Sequence, residues 1–366
     1  MIFKTQRENI LKPLQLVSGV VEKRQTMPIL ANVLLNLGPD GLRITATDLE
    51  MEVRAKSDIQ VESSFSTTVP VRKLQDTIKT LPEESEISFE ISGEKALLKS
   101  GRTKFTLTTM PAENFPVIET KNQIFRFSLP QSKLKQLIDK TQFAMALQDV
   151  RYYLNGLLFE LQGHTITAVA TDGHRLAMCQ EEADIQAVEK ISVIVPRKAV
   201  MELSRLLEDC EELAEVVIGE NYIKTELKDV SFTSKLIDGQ YPNYQAVIPR
   251  EGETQMIGNR SDLRQCLIRT SILSNEKYRG IRIQLSENKL RALANNPEQE
   301  EAEDEIEVDY NGTEMEIGFN VNYLLDAITA IADEQVKISF ADGNGSALIT
   351  ATGKQNCIYV VMPMRI

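Results

Sequence analysis

The sequence predicts an α+β chain made of three copies of one module, and three observations carry that expectation. The first is a strand end that recurs. Ile166, Ala168 and Ala170 alternate before Thr171-Asp172, as Leu42, Ile44 and Ala46 do before Thr47-Asp48, 124 residues earlier. Leu290, Ala292 and Ala294 alternate before Asn295-Asn296, 124 residues later. The second is length: 366 residues are close to three times that spacing and too many for one ordinary core. The third is the order strand, helix, strands, helix, strands, with helices gathered on one face of antiparallel sheets. The expected modules are 1–121, 122–248 and 249–366.

Within the first module, Ile2-Phe3-Lys4 reads as a strand. Ile10, Leu14 and Val17 follow at helical spacing, with Pro13 tolerable only near a first turn. Leu30 to Leu37 and Leu42 to Ala46 alternate across Gly38-Pro39-Asp40-Gly41, a turn signal. Val69-Pro70 opens a second helix with Leu74, Ile78 and Leu81 on its apolar face. Strands at Ile87 to Ile91, Ala96 to Lys99 and Lys104 to Thr109 complete the module.

The second module repeats this order from Phe127, 124 residues after Phe3. Its first helix carries Leu134, Leu137, Ile138, Thr141 and Met145 on one face, with Lys133, Gln136 and Lys140 opposite. Val195-Pro196 matches Val69-Pro70, and Val200, Ser204 and Leu207 then fill the three apolar helix positions. Lys198 and Arg205 lie on the far face. Phe232 to Leu236 and Asp238 to Tyr244 echo Phe105 to Thr109 and Met110 to Pro116. In the third module a helix from Ser261 to Leu273 carries Arg264 and Arg269. Leu324, Ile328 and Ile331 line the next, and the chain closes on the apolar run from Ile358.

Composition narrows the function classes. Apolar residues at 42% and charged residues at 26% describe a globular chain, with no run long enough to span a bilayer. Cys179, Cys210, Cys266 and Cys357 form no CxxC pair, so reduced, mostly buried cytoplasmic thiols are expected. Asp172 beside His174 invites a catalytic assignment, but Asp-Gly after an alternating run is a hairpin turn. Neither Leu49-Glu50 nor Pro297-Glu298 supplies a base in the sister copies. The two histidines, His164 and His174, belong to no zinc-ligand spacing, and no phosphate loop exists. Gly343-Asn-Gly345 lies between strands and reads as a hairpin, not as a dinucleotide fingerprint. No catalytic residue, cofactor or metal is expected. A formal charge of −12 argues against a nucleic-acid coat, yet basic residues gather on several helix faces, which fits a surface that follows phosphates without reading bases.

Stretches along the whole chain resemble the bacterial sliding clamps, the beta subunits of DNA polymerase III. They include Pro28-Ile-Leu30, Thr47-Asp-Leu-Glu-Met-Glu52, Gln148-Asp-Val-Arg-Tyr-Tyr-Leu-Asn-Gly156, Ala170-Thr-Asp-Gly-His-Arg-Leu176 and Phe232-Thr-Ser-Lys235. Leu273-Ser-Asn-Glu-Lys277, Asn295-Asn-Pro-Glu-Gln-Glu-Glu301 and Val360-Val-Met-Pro-Met-Arg365 extend the match to the end. The resemblance implies the DNA clamp fold as a head-to-tail homodimeric ring, with two helices per module lining a hole. Twelve helices at about 9 Å spacing leave a bore of roughly 25 Å. It implies a non-catalytic processivity factor that slides on double-stranded DNA without sequence preference. The clamp loader, the polymerase alpha subunit and other proteins with a clamp-binding motif would be its partners, with no membrane involved.

Site residues follow from the same resemblance. DNA contacts fall on Arg24, Arg72, Gln148, Tyr152 and Tyr153, with Lys198 added from its helix face; the tyrosines offer faces for stacking on unpaired bases. A groove for apolar peptide tails is implied at Leu154, Thr171, Gly173, His174, Arg175, Leu176, Pro242, Val247, Tyr323, Val360 and Met362. Ala246 stands where well-known members have arginine, Tyr278 replaces phenylalanine, and Ile366 ends the chain in place of leucine. At the ring joint, Ile272 and Leu273 would pack, and Glu298 and Glu300 would pair with Lys73 or Arg102. Glu298 to Asp309 holds eight carboxylates and no basic residue. Two other functions stay open on the residues alone: a clamp-shaped scaffold that does not encircle DNA, and an enzyme using Asp172 and His174.

Overall fold

A computed structural model of the chain describes residues 2–21, 27–59, 64–249, 254–340, 345–353 and 356–365. Its contacts divide it into two compact units, Met1–Ser132 with Met201–Leu236, and Lys133–Val200 with Ile237–Ile366.

The first stretch folds as β1 (Ile2–Gln6), α1 (Arg7–Val17), β2 (Asn32–Gly38), β3 (Gly41–Thr47), β4 (Met51–Ser57) and β5 (Phe65–Pro70). It continues through α2 (Val71–Lys79), β6 (Glu86–Ser92), β7 (Lys95–Ser100) and β8 (Thr103–Thr108). Next come β9 (Gln123–Pro130), α3 (Gln131–Asp139), β10 (Gly156–Thr171), β11 (Arg175–Pro196) and α4 (Arg197–Leu206). β12 (Leu213–Gly219), β13 (Tyr222–Glu226) and β14 (Val230–Lys235) follow. The last stretch holds β15 (Thr254–Asn259), α5 (Arg260–Ser271), β16 (Gly280–Ser286), β17 (Lys289–Asn295), β18 (Glu301–Glu307) and β19 (Met315–Asn320). It ends with α6 (Val321–Ala330), β20 (Gln335–Phe340), β21 (Ala347–Ala351) and β22 (Cys357–Val361).

The repeat is visible in the sheets. In the first unit one sheet runs β1-β6-β7-β8 and another β5-β2-β3-β4-β14-β13-β12-β9; in the second they run β10-β11-β22-β21-β20-β15 and β18-β17-β16-β19. Two four-strand patterns recur. β5-β2-β3-β4 matches β19-β16-β17-β18, and β1-β6-β7-β8 matches both β9-β12-β13-β14 and β15-β20-β21-β22. The long pair β10 and β11 fills the remaining place. It pairs Gly156–Leu161 with Ile191–Pro196 and Thr165–Thr171 with Leu176–Glu182, with register shifts around Gly163.

The helices bury the expected faces: Leu74 and Ile78 on α2, Val200 on α4 and Leu324 and Ile328 on α6 are all buried. Each such side chain contributes about 1.5–3 kcal/mol of transfer free energy. Three expectations need correction. Pro13 is the seventh of the 11 residues of α1, where it removes the bond that the Asn9 carbonyl would accept. It is tolerated because Pro13 packs inside with Ile10, Leu14 and Val17 while Asn9 is exposed to water. The helix expected to reach Met145 stops at Asp139, since a separate 3-10 turn covers Gln142–Ala144. Cys179 and Cys357 are disulfide-bonded instead of separate thiols, because they stand directly opposite on the paired strands β11 and β22. No helix among the described residues is long and apolar enough to cross a membrane. The Gly343-Asn344 hairpin lies outside the described residues.

Candidate functional site

The motif Thr171-Asp-Gly-His-Arg is a turn locked from both sides. The Thr171 hydroxyl donates to the Arg175 carbonyl at 2.6 Å and accepts from the Gly173 N–H at 3.1 Å. The Asp172 carboxylate accepts from the N–H groups of His174 and Arg175 at 2.9 and 3.1 Å. Asp172 is thus a turn former, and the expected hairpin is present. Gly173 sits at φ 89°, and a Cβ there would stand 2.9 Å from the Arg151 guanidinium. That guanidinium donates to the Asp172 carbonyl at 3.2 Å.

Arg175 turns inward and joins several elements. Its Nε donates to Asp172 at 3.1 Å, Nη1 to Asp326 of α6 at 2.5 Å and Nη2 to the Phe143 carbonyl at 2.6 Å. The guanidinium also lies over the Tyr323 ring, 4.5 Å from its centre. With only 12% of its side chain exposed, Arg175 is a strut behind the turn. Burial, reinforced by Asp172, holds the Tyr323 phenol above its ordinary range.

Around this strut the second unit packs an apolar cluster. Leu158, Val169, Leu176, Ile194, Tyr244, Leu348 and Val360 form one buried cluster, and Tyr153, Ile237, Tyr241 and Ile248 pack partly exposed against it. The strands fix one wall, because Leu176 stands directly opposite Val360 in the β11–β22 ladder. The Met362 N–H then donates to the His174 carbonyl at 2.9 Å. Leu154 is buried below, Thr171 is nearly so, and Pro242, His174, Val247 and Met362 are exposed at the rim. All eleven candidate groove residues belong to one compact unit. The segment carrying Pro242 is tied down by two tyrosines. The Tyr241 hydroxyl accepts from the Thr171 N–H at 3.0 Å, and Tyr244 donates to the buried Glu160 at 3.2 Å. Burial lifts both phenols, Tyr244 to about 12 with help from Glu160. A rigid turn, a buried apolar cluster and exposed Val247, Pro242 and Met362 beside it are the parts that an extended apolar peptide would use.

The candidate DNA residues are distributed. Arg24 lies outside the described residues. Arg72 is exposed on α2 of the first unit, and Lys198 is exposed on α4. Gln148, Tyr152 and Tyr153 come together on one loop of the second unit. Gln148 sits at φ 57°, Tyr152 is 57% exposed, and the two tyrosine rings meet edge to face 5.7 Å apart. Arg151 clasps Asp149 at 2.9 and 3.0 Å in the same loop, and its hydrogen bonds hold that carboxyl down to about 2. The expected basic helix faces are partly neutralised: Arg205 pairs with Glu202, and Arg269 with Asp304 at 2.6 Å.

Among the candidate joint residues, Lys73, Arg102 and Glu298 are exposed, Ile272 is 72% exposed and Leu273 is half-buried. Glu300 is bonded to Asn296, whose amide donates to it at 2.6 Å. Sequence reasoning missed Tyr241 and Asp326. Tyr241 sits beside Pro242 and could have been found from that neighbour, whereas Asp326 lies 151 residues from Arg175 with no local signal.

Family profiles for the N-terminal, central and C-terminal domains of the DNA polymerase III beta subunit match residues 1–119, 128–243 and 245–365. The chain is 51% identical to the beta sliding clamp of Pseudomonas aeruginosa over the full length of both. A crystal structure of the DNA polymerase sliding clamp from that organism, with ligand, superposes at a TM-score of 0.97 with 50% identity, covering all of each chain. A further Pseudomonas aeruginosa sliding-clamp structure, bound to griselimycin, gives 0.96 at 50% identity, again with all of each chain covered.

Proposed function

The chain belongs to the DNA polymerase III beta subunit family, the beta sliding clamps, and from that membership we propose that it is the processivity factor of a bacterial replicative polymerase. Two copies close head to tail into a ring around double-stranded DNA, slide on it without reading sequence, and tether clients. The factor is non-catalytic and acts in the cytoplasm.

One observation carries the ring. Within the chain, β4 pairs with β14 and β11 with β22, each time joining the end of one four-strand pattern to the end of the other. This leaves β18 and β8 as outer strands of their sheets, one of each kind. Unpaired edges invite pairing with another chain. If the three modules 1–121, 122–248 and 249–366 are equivalent, β18 of one copy takes β8 of the other, and the same happens at the second joint.

The register follows. Thr233 faces Glu52 across the β4–β14 pair. In the neighbouring ladders Glu301 takes the place of Glu52, and Thr106 that of Thr233. Thr106 then faces Glu301, Lys104 faces Glu303, and Arg102 faces Glu305 instead of the expected Glu298 or Glu300, which leaves Lys73 as the candidate partner of those two. Basic residues on one edge and carboxylates on the other orient the joint. Ile272 and Leu273 add apolar contact.

Arg24, Arg72, Gln148, Tyr152, Tyr153 and Lys198 would touch DNA, and loose phosphate contacts suit sliding. The groove would receive apolar tails of the polymerase alpha subunit, the clamp loader and other clamp-binding-motif proteins; the griselimycin-bound relative supports a ligand-accepting clamp surface. The test is primer extension limited to one polymerase binding event, with clamp loader and ATP. Products should lengthen at least tenfold when the protein is added, and unchanged length contradicts the function.

A further inference from the structure

The turn that walls the groove occurs a second time, in the other unit. The Thr47 hydroxyl donates to the Met51 carbonyl at 2.8 Å and accepts from the Leu49 N–H at 3.1 Å. The Asp48 carboxylate accepts from the N–H groups of Glu50 and Met51 at 2.9 and 2.8 Å. These are the bonds of Thr171–Arg175, one for one. Leu49 sits at φ 78°, where Gly173 sits at 89°. The Lys235 N–H donates to the Glu50 carbonyl at 2.8 Å, as the Met362 N–H does to His174. Leu49, Glu50 and Lys235 thus hold the places of Gly173, His174 and Met362. Pro116 follows the buried Phe115 as Pro242 follows Tyr241.

A cavity of about 340 Å³ opens beside this copy, with Leu49, Pro116, Val117, Tyr222 and Lys235 in its wall. Val117 is 56% exposed, and Leu49 is only half-buried against Ile29, Leu30, Leu34 and Phe115. Leucine rarely adopts a left-handed backbone, and held there it presents a branched apolar side chain where the other copy has none. We infer that this cavity is a second peptide site, taking a short extended segment that lays an apolar side chain on Leu49 and Val117 and sets a carboxylate beside Lys235. The inference rests on reading the first groove as a peptide site.

Charge selects this occupant. The exchange of Met362 for Lys235 brings a cation to a rim position that is apolar in the first groove. Its ammonium is half exposed and 3.6 Å from Glu50, itself 70% exposed. Such a loose surface pair is weak, so a ligand carboxylate replaces Glu50 without leaving a buried charge. Glu119, also in the cavity wall, is already engaged by Lys121 at 2.6 Å.

The test is a titration of the full-length protein, ¹³C-labelled at Leu, Val and Met methyls, with the capped tetrapeptide Ac-Ala-Leu-Leu-Asp-NH2. Leu49 and Val117 methyls should shift and saturate on a curve independent of Val247 and Met362. Lys235→Met should weaken that curve about threefold for this peptide, and not for its Asn analogue, while leaving the Val247 and Met362 shifts unchanged. Shifts at Val247 and Met362 alone overturn the second site and keep the first. Shifts at Leu49 and Val117 alone support a site here and remove the first groove. Silence at both overturns both, and an equal effect of Lys235→Met on the two peptides overturns the carboxylate assignment.

Discussion

Gly173 answers to two constraints at once, a left-handed φ of 89° and a guanidinium where a Cβ would go. Gly173→Ala should cost about 1–2 kcal/mol of stability by urea unfolding. It should also weaken peptide binding in the groove, because Arg151 must move. A variant as stable as the parent would show that the turn is not locked as described. The Asp149 clasp has a pH signature. Its folded pKa of about 2 lies below the unfolded carboxylate value of about 3.9, so its contribution is present above pH 4 and fades as pH falls toward 2. The Asp149 carboxyl resonance should titrate near pH 2; a midpoint near 4 would mean that Arg151 does not hold it. At this scale the sequence was partly legible. Asp-Gly announced the turn, and the structure makes Asp172 its hydrogen-bond acceptor. Arg175 to Asp326 and Cys179 to Cys357 were not legible, because both pairings depend on which distant strands and helices meet.

At the scale of elements, the proposed joint rests on the outer strands β18 and β8. Lys104→Glu sets a carboxylate against Glu303, at roughly 0.7 kcal/mol for each of two joints, or about tenfold in the dimer Kd by sedimentation. Adding Glu303→Lys should recover the affinity to within about threefold. No change in Kd for Lys104→Glu would refute the register. The helices of each module were readable from three apolar positions at helical spacing, since burial imposes that period directly. The strands β4 and β5 were not singled out, although Met51, Val53 and Ala55 alternate with Glu52, Arg54 and Lys56 as a half-buried strand does. Pro13 inside α1 went against local preference because tertiary packing outweighed one lost backbone bond.

For the whole molecule, the proposed ring must hold DNA with a formal charge of −12 on each chain. Adhesion alone is a poor solution, since arginines such as Arg205 and Arg269 are already paired with carboxylates. Closure offers retention without tight contact: a ring held by its joints stays on DNA even when each phosphate contact is weak and salt-sensitive. The direct measurement is retention of clamp, loaded by its clamp loader with ATP, on nicked circular plasmid before and after linearisation. Lasting retention on circles and rapid loss from cut ends is the predicted result. Equal retention on both forms would contradict the topological hold and leave only adhesive binding.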